Sequence, residues 1–278
     1  MPAPALSVIV TTYNRPNALR AVLDGLLAQS RDDFEVIVAD DGSGEPTRAV
    51  VERMTAAFAG RLRHVWHEDQ GFRAAAIRNR AAAIATAPFL CFLDGDCVPM
   101  SHFVDGHLRH ASPQRILRGS RVLLAEGFTA ACENGVVSVH QLDKAALREK
   151  CRLGDINRSS PLRGGFLDLV RVWVSALRPR DWKLLRGCNF VVSRNAFVAV
   201  NGFDEQFEGW GYEDSDLCIR LMNHGLAIRR APAAACVLHL WHREHDRQFE
   251  SENMARLQAT LHNGRTLPAR GITPPAST

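Results

Sequence analysis

Phe89-Leu-Cys-Phe-Leu-Asp-Gly-Asp96 is an apolar run of five residues that stops on two carboxylates around a glycine. It reads as a buried strand with a polar exit. Asp94 and Asp96 at that exit are suited to a hard divalent cation, and Gly95 lets a ligand approach the backbone. The same spacing also occurs in solvated strand-to-loop turns, so its meaning depends on what lies around it.

Upstream, Leu6–Thr12 (LSVIVTT), Phe34–Ala39 (FEVIVA) and Leu62–Trp66 are further strands, and Asp40-Asp41 closes the second of them. Between them, Leu19, Val22, Leu23, Leu26 and Leu27 fall at helical spacing within Pro16–Gln29, with Asn14 as the expected N-cap. Helices are also expected over Thr47–Phe58 and over the Ala-rich Arg73–Thr86. Strands alternating with helices imply βαβ units: an α/β fold with a mostly parallel central sheet flanked by helices. Such sheets bind ligands at the carboxyl ends of their strands, where Thr11–Arg15, Asp41 and Asp94–Asp96 lie.

The downstream half is less regular. Arg115–Leu124 reads as one strand, Glu126–Leu185 as a long insertion, and Gly187–Ser193 and Ala235–Leu240 as strands. Helices are expected over Gly211–Asn223 and Arg247–Leu261. The tail from Gly264, with three prolines, is expected to fray. The organisation is one domain over 1–262, divided at about 6–125, 126–186 and 187–246, with a flexible tail over 263–278.

The composition of the 278 residues, 46% apolar and 23% charged, excludes disorder and fibrous classes. The longest apolar candidate, Ala81–Leu93, is broken by Pro88 and falls short of the ~18–20 residues of a membrane span. Met1–Val10 has no basic residue ahead of its apolar stretch, unlike a signal peptide. Seven cysteines without a C-x-x-C pair suit reduced thiols and a cytoplasmic setting. A net charge of +4 is too mild to imply nucleic acid, but it is uneven: Asp143–Arg186 holds eleven Lys/Arg against five Asp/Glu. Such a block faces an anionic partner or solvent.

Thr11-Thr12-Tyr13-Asn14-Arg15, then Asp40-Asp41-Gly-Ser, then Asp94-Gly95-Asp96, in order at successive strand ends, resemble family 2 of the glycosyltransferases with the GT-A (nucleotide-diphospho-sugar transferase) fold. The resemblance spans roughly Leu6 to His242. It implies that Thr11, Tyr13, Asn14, Arg15, Asp41, Asp94, Gly95 and Asp96 contact a nucleotide sugar, usually a UDP-sugar, and makes 6–125 the nucleotide-binding half. A carboxylate can accept the uracil ring N–H while a tyrosine packs near the base. Asp40 is equally suited to an Asx turn. Gly71-Phe72-Arg73 resembles the segment that brings an arginine to the donor, so Arg73 is the expected diphosphate or base contact. Arg78, five residues on, is expected to point elsewhere, and Asn79 to brace a neighbouring loop.

Gly209-Trp210-Gly211-Tyr212-Glu213-Asp214-Ser215-Asp216 puts carboxylates at the start of a helix, where the dipole favours the ionised form that a general base needs. It resembles the G-W-G-x-E-D signature of galactosyl- and N-acetylgalactosaminyltransferases and bacterial chondroitin-type polymerases. That implies Asp214 as catalytic base, Glu213 on acceptor hydroxyls, Trp210 stacked on a sugar with Gly211 beside it, and inversion at the anomeric carbon. Asp216 is read as a cap or surface residue. Related enzymes place a metal-binding histidine where His239-Leu-Trp-His242-Arg-Glu-His245 stands. With Asp96, His242 and, next in rank, His239 would hold Mn²⁺ (or Mg²⁺), provided the chain turns after His239; His245 ranks well below.

Pro161–Leu185 is apolar with basic flanks and carries Trp173 and Trp182, so it is expected to meet an anionic membrane surface, or to serve as a lid or dimer contact. The combined reading is a cytoplasmic, peripheral, metal-dependent inverting hexosyltransferase. Its acceptor would be a saccharide or lipid-linked glycan of a bacterial surface polymer such as lipopolysaccharide, O-antigen or capsule. The alternatives are an inactive glycan- or nucleotide-binding scaffold, or a sugar-phosphate nucleotidyltransferase. The latter would want a Gly-rich basic loop where TTYNRPN stands.

Overall fold

A computed structural model describes residues 3–157, 165–175, 177, 181–243 and 246–272. Strands β1 (Leu6–Thr12), β2 (Phe34–Asp40), β3 (Leu62–Trp66) and β4 (Phe89–Asp94) form the parallel half of a seven-stranded sheet. Its order is β3-β2-β1-β4-β8-β6-β9, with β6 at Arg115–Arg118, β8 at Asn189–Ser193 and β9 at Ala227–Arg230. β8 runs antiparallel to both neighbours, so the sheet is mixed but mostly parallel. Side chains alternate between two cores. Val8 and Val10 face helices α1 (Pro16–Leu27) and α2 (Glu45–Thr55). Ile9, Ile37 and Phe92 face α3 (Ala74–Ile84) and the downstream helices. Coverage on both faces is why these strands read as continuous apolar runs.

The expected single strand over Arg115–Leu124 is two. Gly119 and Ser120 break it, because a Cβ on Gly119 would lie 2.0 Å from the Asn189 side chain. The chain leaves the large sheet there and enters a small one of order β5-β10-β7, with β5 at Cys97–Pro99, β7 at Arg121–Leu123 and β10 at Val237–His239. Helix α4 (Phe103–Leu108) connects β5 to β6.

The 126–186 segment is not an appendage. It forms α5 (Glu126–Glu133), α6 (Lys144–Arg152) and α7 (Phe166–Ser175), and buries Phe128, Cys132, Leu147 and Ile156 in the core shared with β1. Trp182 is half-buried against the other core, so it is unsuited to the headgroup level. Arg163, Arg178 and Arg180 lie outside the described residues. The last elements are α8 (Arg194–Ala199), α9 (Glu213–Asn223) and α10 (Glu250–Asn263).

Two further expectations are corrected. Asp216 is fully buried rather than a surface cap: its carboxylate accepts from Arg220 Nε at 2.7 Å and Thr260 Oγ1 at 2.7 Å, because α10 packs over α9. The tail is tied down as far as residue 272: Asp204 accepts from the Arg265 side chain and from the backbone of Ala269 and Arg270, and Ile272 donates to Asn201. Residues 273–278 lie outside the described part. All seven cysteines are free thiols, and among the described residues no helix is long and apolar enough to cross a membrane.

Candidate active site

The carboxyl ends of β1 and β4 meet the small sheet and the start of α9 around a cavity of about 450 Å³. Parallel register sets Thr11 beside Asp94 and Thr12 beside Asp40. Gly95 donates its N–H to the Thr11 carbonyl at 2.7 Å, and a Cβ there would lie 2.8 Å from that oxygen. The glycine is thus required by the approach of β1 itself, not only by a ligand.

At one end of the cavity, Asp41 is buried. Its Oδ1 lies 2.6 Å from His67 Nε2, and its Oδ2 accepts the Arg73 backbone N–H at 2.8 Å. Burial pushes the Asp41 carboxyl up, against the pull of His67 and of Arg73. Asp40 is fully buried, and its Oδ1 accepts from Ser43 N at 2.8 Å, three residues on, so it holds the loop after β2 rather than a two-residue Asx turn. Tyr13 is 46% exposed, and its hydroxyl donates to Asp69 Oδ2 at 2.8 Å. Asn14 does not cap α1. It sits at φ +47 and its Oδ1 accepts from Gly44 N at 3.0 Å, which ties the β1 loop to the β2 loop; α1 starts on Pro16 instead.

Arg73 and Arg78 exchange their expected places. Arg73 stands before the first turn of α3, and its guanidinium donates to the Glu68 carbonyl at 2.7 Å, away from the cavity lining. Arg78 lines the cavity. It donates to Thr11 Oγ1 at 3.0 Å, Asp94 Oδ1 at 3.0 Å and Glu213 Oε1 at 2.9 Å. Burial opposes its charge, but Asp94 and Glu213 outweigh it and hold the guanidinium protonated. Burial pushes Asp94 up, and Arg78 offsets part of this. The one available signal was an arginine in an otherwise alanine-rich helix: small neighbours let α3 lie close to the sheet, so a long side chain can reach its ends. Asn79 braces the loop at Phe203, bonding both its N–H and its carbonyl.

The chain turns after His239, and both imidazoles face Asp96. His239 pairs with Cys97 across β10 and β5, and Leu240 donates to the Asp96 carbonyl at 2.8 Å. His239 Nε2 is 3.7 Å from Asp96 Oδ1 and His242 Nε2 is 3.5 Å from Oδ2. One ligand atom from each of the three lies within 4.8 Å of the others. Burial holds the His239 imidazole towards its neutral, ligating form, despite Asp96. One carboxylate and two imidazoles are a donor set suited to a divalent metal ion. Arg15 already donates to Asp96 Oδ2 at 3.0 Å and also pairs with Glu133, so it shares that carboxylate with any ion. His245 lies outside the described residues.

Across the cavity, Trp210 has the Arg247 guanidinium 4.8 Å over its ring. Gly209 takes φ +71 against Phe249, whose ring a Cβ would meet at 2.4 Å; Gly211 takes φ +115 and leads into Tyr212 at φ +71, which starts α9. Glu213 lines the cavity and is held by Arg78. Asp214 is half-buried against Gly187, with Oδ1 accepting from Ser215 N at 2.6 Å. Burial, then the neighbouring Glu213 charge, pushes it up to about 6, against Arg78 and the backbone N–H groups of Ser215 and Gly187. The net shift is thus opposite in direction to the one expected from a helix start, because burial and the Glu213 charge prevail.

Two family models match parts of the chain. Residues 7–115 match the model for glycosyl transferase family 2. Over these residues the chain belongs to the family 2 glycosyltransferases. Residues 172–245, which hold the Trp210–Asp214 loop and both histidines, match the N-terminal domain of galactosyltransferase. A validoxylamine A glucosyltransferase of Streptomyces hygroscopicus is 34% identical over 81% of this chain and 53% of its own length. The family 2 chain therefore spans about half the length of that relative. A mannosyltransferase of Pyrobaculum calidifontis, solved with GDP-Man and Mn²⁺, superposes with a TM-score of 0.57 and 16% identity over 94% of this chain and 70% of its own. S. aureus TarS with UDP-GlcNAc gives 0.61 and 17% over 93% and 66%. At those identities the likeness shows the GT-A fold.

Proposed function

We propose that this family 2 chain transfers a hexose or N-acetylhexosamine from a UDP-sugar to a saccharide hydroxyl, with inversion. The observation that carries the reading is one cavity with the Asp96–His239–His242 cluster on one wall and Glu213, at the start of α9, on another. Thr11, Tyr13, Asn14 and Asp41 would take the nucleoside. Asp94, Gly95 and Arg78 would sit beside the donor sugar and diphosphate, with Arg15 next to them. When bound at Asp96, His239 and His242, a divalent ion supplies neutralisation of the leaving diphosphate.

Trp210 and Gly211 would receive the acceptor. Asp214 would accept the proton of its attacking hydroxyl. A carboxyl pushed up to about 6 is a better proton acceptor near neutral pH than an ordinary one. Glu213 is the residue of the pair that lines the cavity, which favours it as a second candidate; its bond to Arg78 argues for a holding role instead.

The acceptor is proposed to belong to a surface glycan, met by the enzyme on the inner face of the cell membrane. Exposed Phe166, Leu169, Trp173 and Leu177, each at least 67% exposed, support an interfacial site around α7. The test is calorimetry with UDP with and without Mn²⁺, followed by a screen of nucleotide sugars for hydrolysis or transfer. Absence of UDP binding in both conditions would leave a scaffold as the reading.

A further inference from the structure

A second cavity of about 460 Å³ lies next to the first along β7 and shares Arg121 and Leu123 with it. Its wall carries six cationic side chains: Arg118, Arg121, Arg171, Lys183, Arg186 and Arg230. Among the described residues no Asp or Glu lines it. Asp181 is the carboxylate near enough to act on Arg118.

A solvated basic face would splay these charges outward. Here only Lys183 and Arg186 are exposed; the four others are half-buried around a common space. Arg118 and Arg230 stand at paired positions of β6 and β9, where like charges repel. Burial, then Arg230, destabilises the charge on Arg118, whose buried Nε has no hydrogen-bond partner. The hydroxyl of Ser120, also in the lining, is buried without a partner. Guanidiniums crowded in this way, next to an unused hydroxyl, are arranged for planar, bidentate binding of a phosphate or carboxylate.

We propose that this cavity is the subsite for an anionic group, phosphate or carboxylate, carried by the acceptor saccharide. The inference rests on the transferase reading, because it is the shared wall at Arg121 and Leu123 that sets the anion beside the donor site. It also gives the basic block of 143–186 a partner: Arg171, Lys183 and Arg186 are its members that reach the cavity. The enzyme then selects charged acceptors over neutral ones, since a neutral sugar brings no counter-charge to this cationic wall.

The test is calorimetric titration with inorganic phosphate in the presence of chelator, for the parent and for Lys183→Gln/Arg186→Gln, whose altered side chains are exposed. The expected result is saturable binding in the parent, weakened about tenfold or more in the double variant, as for lost charge-assisted bonds. Glucose 6-phosphate and glucuronic acid should displace the phosphate, and glucose should not. Mn²⁺-dependent UDP affinity should be the same in both proteins; its absence from the parent would sink the donor reading while leaving the anion result standing. No phosphate binding, or equal binding in the variant, overturns the proposal. Displacement by phosphatidylglycerol vesicles but not by glucose 6-phosphate overturns it too, and assigns the cavity to a lipid headgroup.

Discussion

Arg78 joins the Asp94 carboxylate of β4, at 3.0 Å, to the Glu213 carboxylate of α9, at 2.9 Å. The two acids come from opposite halves of the chain, and one buried guanidinium fixes the distance between these two walls of the cavity. Removing one member of such a set leaves buried charge uncompensated, at a cost of about 3–5 kcal/mol. Arg78→Met should destabilise the fold by about that much in urea unfolding. Arg78→Lys should keep more stability but lose UDP-sugar turnover, because an ammonium cannot span Thr11, Asp94 and Glu213 together. A lysine variant with parental turnover would show that the charge suffices and the fork is unused.

The proposed role of Asp214 sets an expected pH response: its ionised form would accept the proton, so turnover should fall as pH drops through about 6 and level off above it. Asp214→Asn should lower transfer by ~10²–10⁴-fold and leave UDP affinity unchanged. The stability effect has the opposite sign. A carboxyl raised in the folded state favours folding when protonated and disfavours it when ionised. The asparagine variant should therefore melt above the parent at pH 8 and near it at pH 4. Turnover within a few-fold of the parent moves the base to Glu213.

Metal dependence is read at Asp96. Asp96→Ala should abolish Mn²⁺-dependent UDP binding, and His239→Ala and His242→Ala should each weaken it, because the three ligand atoms lie within 4.8 Å of one another. Arg15 loses its 3.0 Å partner in the same variant, so Asp96→Asn is the companion that keeps shape. Equal UDP affinity in the parent with and without chelator would reject the metal assignment.

The first half of the fold was legible because its strands are local apolar runs: β1 and β3 fall where the sequence puts them, at Leu6–Thr12 and Leu62–Trp66. The carboxylates at the strand ends were legible for the same reason. What depends on long-range packing was not. The swap of Arg73 for Arg78 needs the height of α3 above the sheet. The burial of Asp216 needs α10. The facing of His239 and His242 on Asp96 needs the pairing of β10 with β5, 138 to 142 residues away in the chain by their numbering. The break at Gly119 needs Asn189 to be known as its neighbour.

Membrane association is read at α7. Trp173 and Leu169 are 67% and 68% exposed. Trp173→Ser/Leu169→Ser should release the protein from anionic vesicles in co-sedimentation, and raised salt should do the same, since exposed charges are screened beyond about 8 Å at physiological ionic strength. A parent protein that stays in the supernatant with anionic vesicles at low salt has no such site.

Gly187 offers a way to distinguish the two acids without changing either. A Cβ at this position would lie 2.9 Å from Asp214 Oδ2 and 3.1 Å from Asp214 Cβ, so an alanine must push the carboxylate aside. Asp214 has little room to give, because Ser215 N holds its other oxygen at 2.6 Å. Overpacking of this kind costs about 1–3 kcal/mol, which a chain of this size should survive. Glu213 is fixed from the opposite side by Arg78 and would stay in place. Gly187→Ala should therefore keep UDP affinity and a cooperative unfolding transition, lowered as a cost of about 1–3 kcal/mol requires, while cutting transfer at least tenfold, if Asp214 is the base. A folded Gly187→Ala protein with undiminished transfer would place the base at Glu213, since the displaced carboxylate would then have no part in the proton transfer.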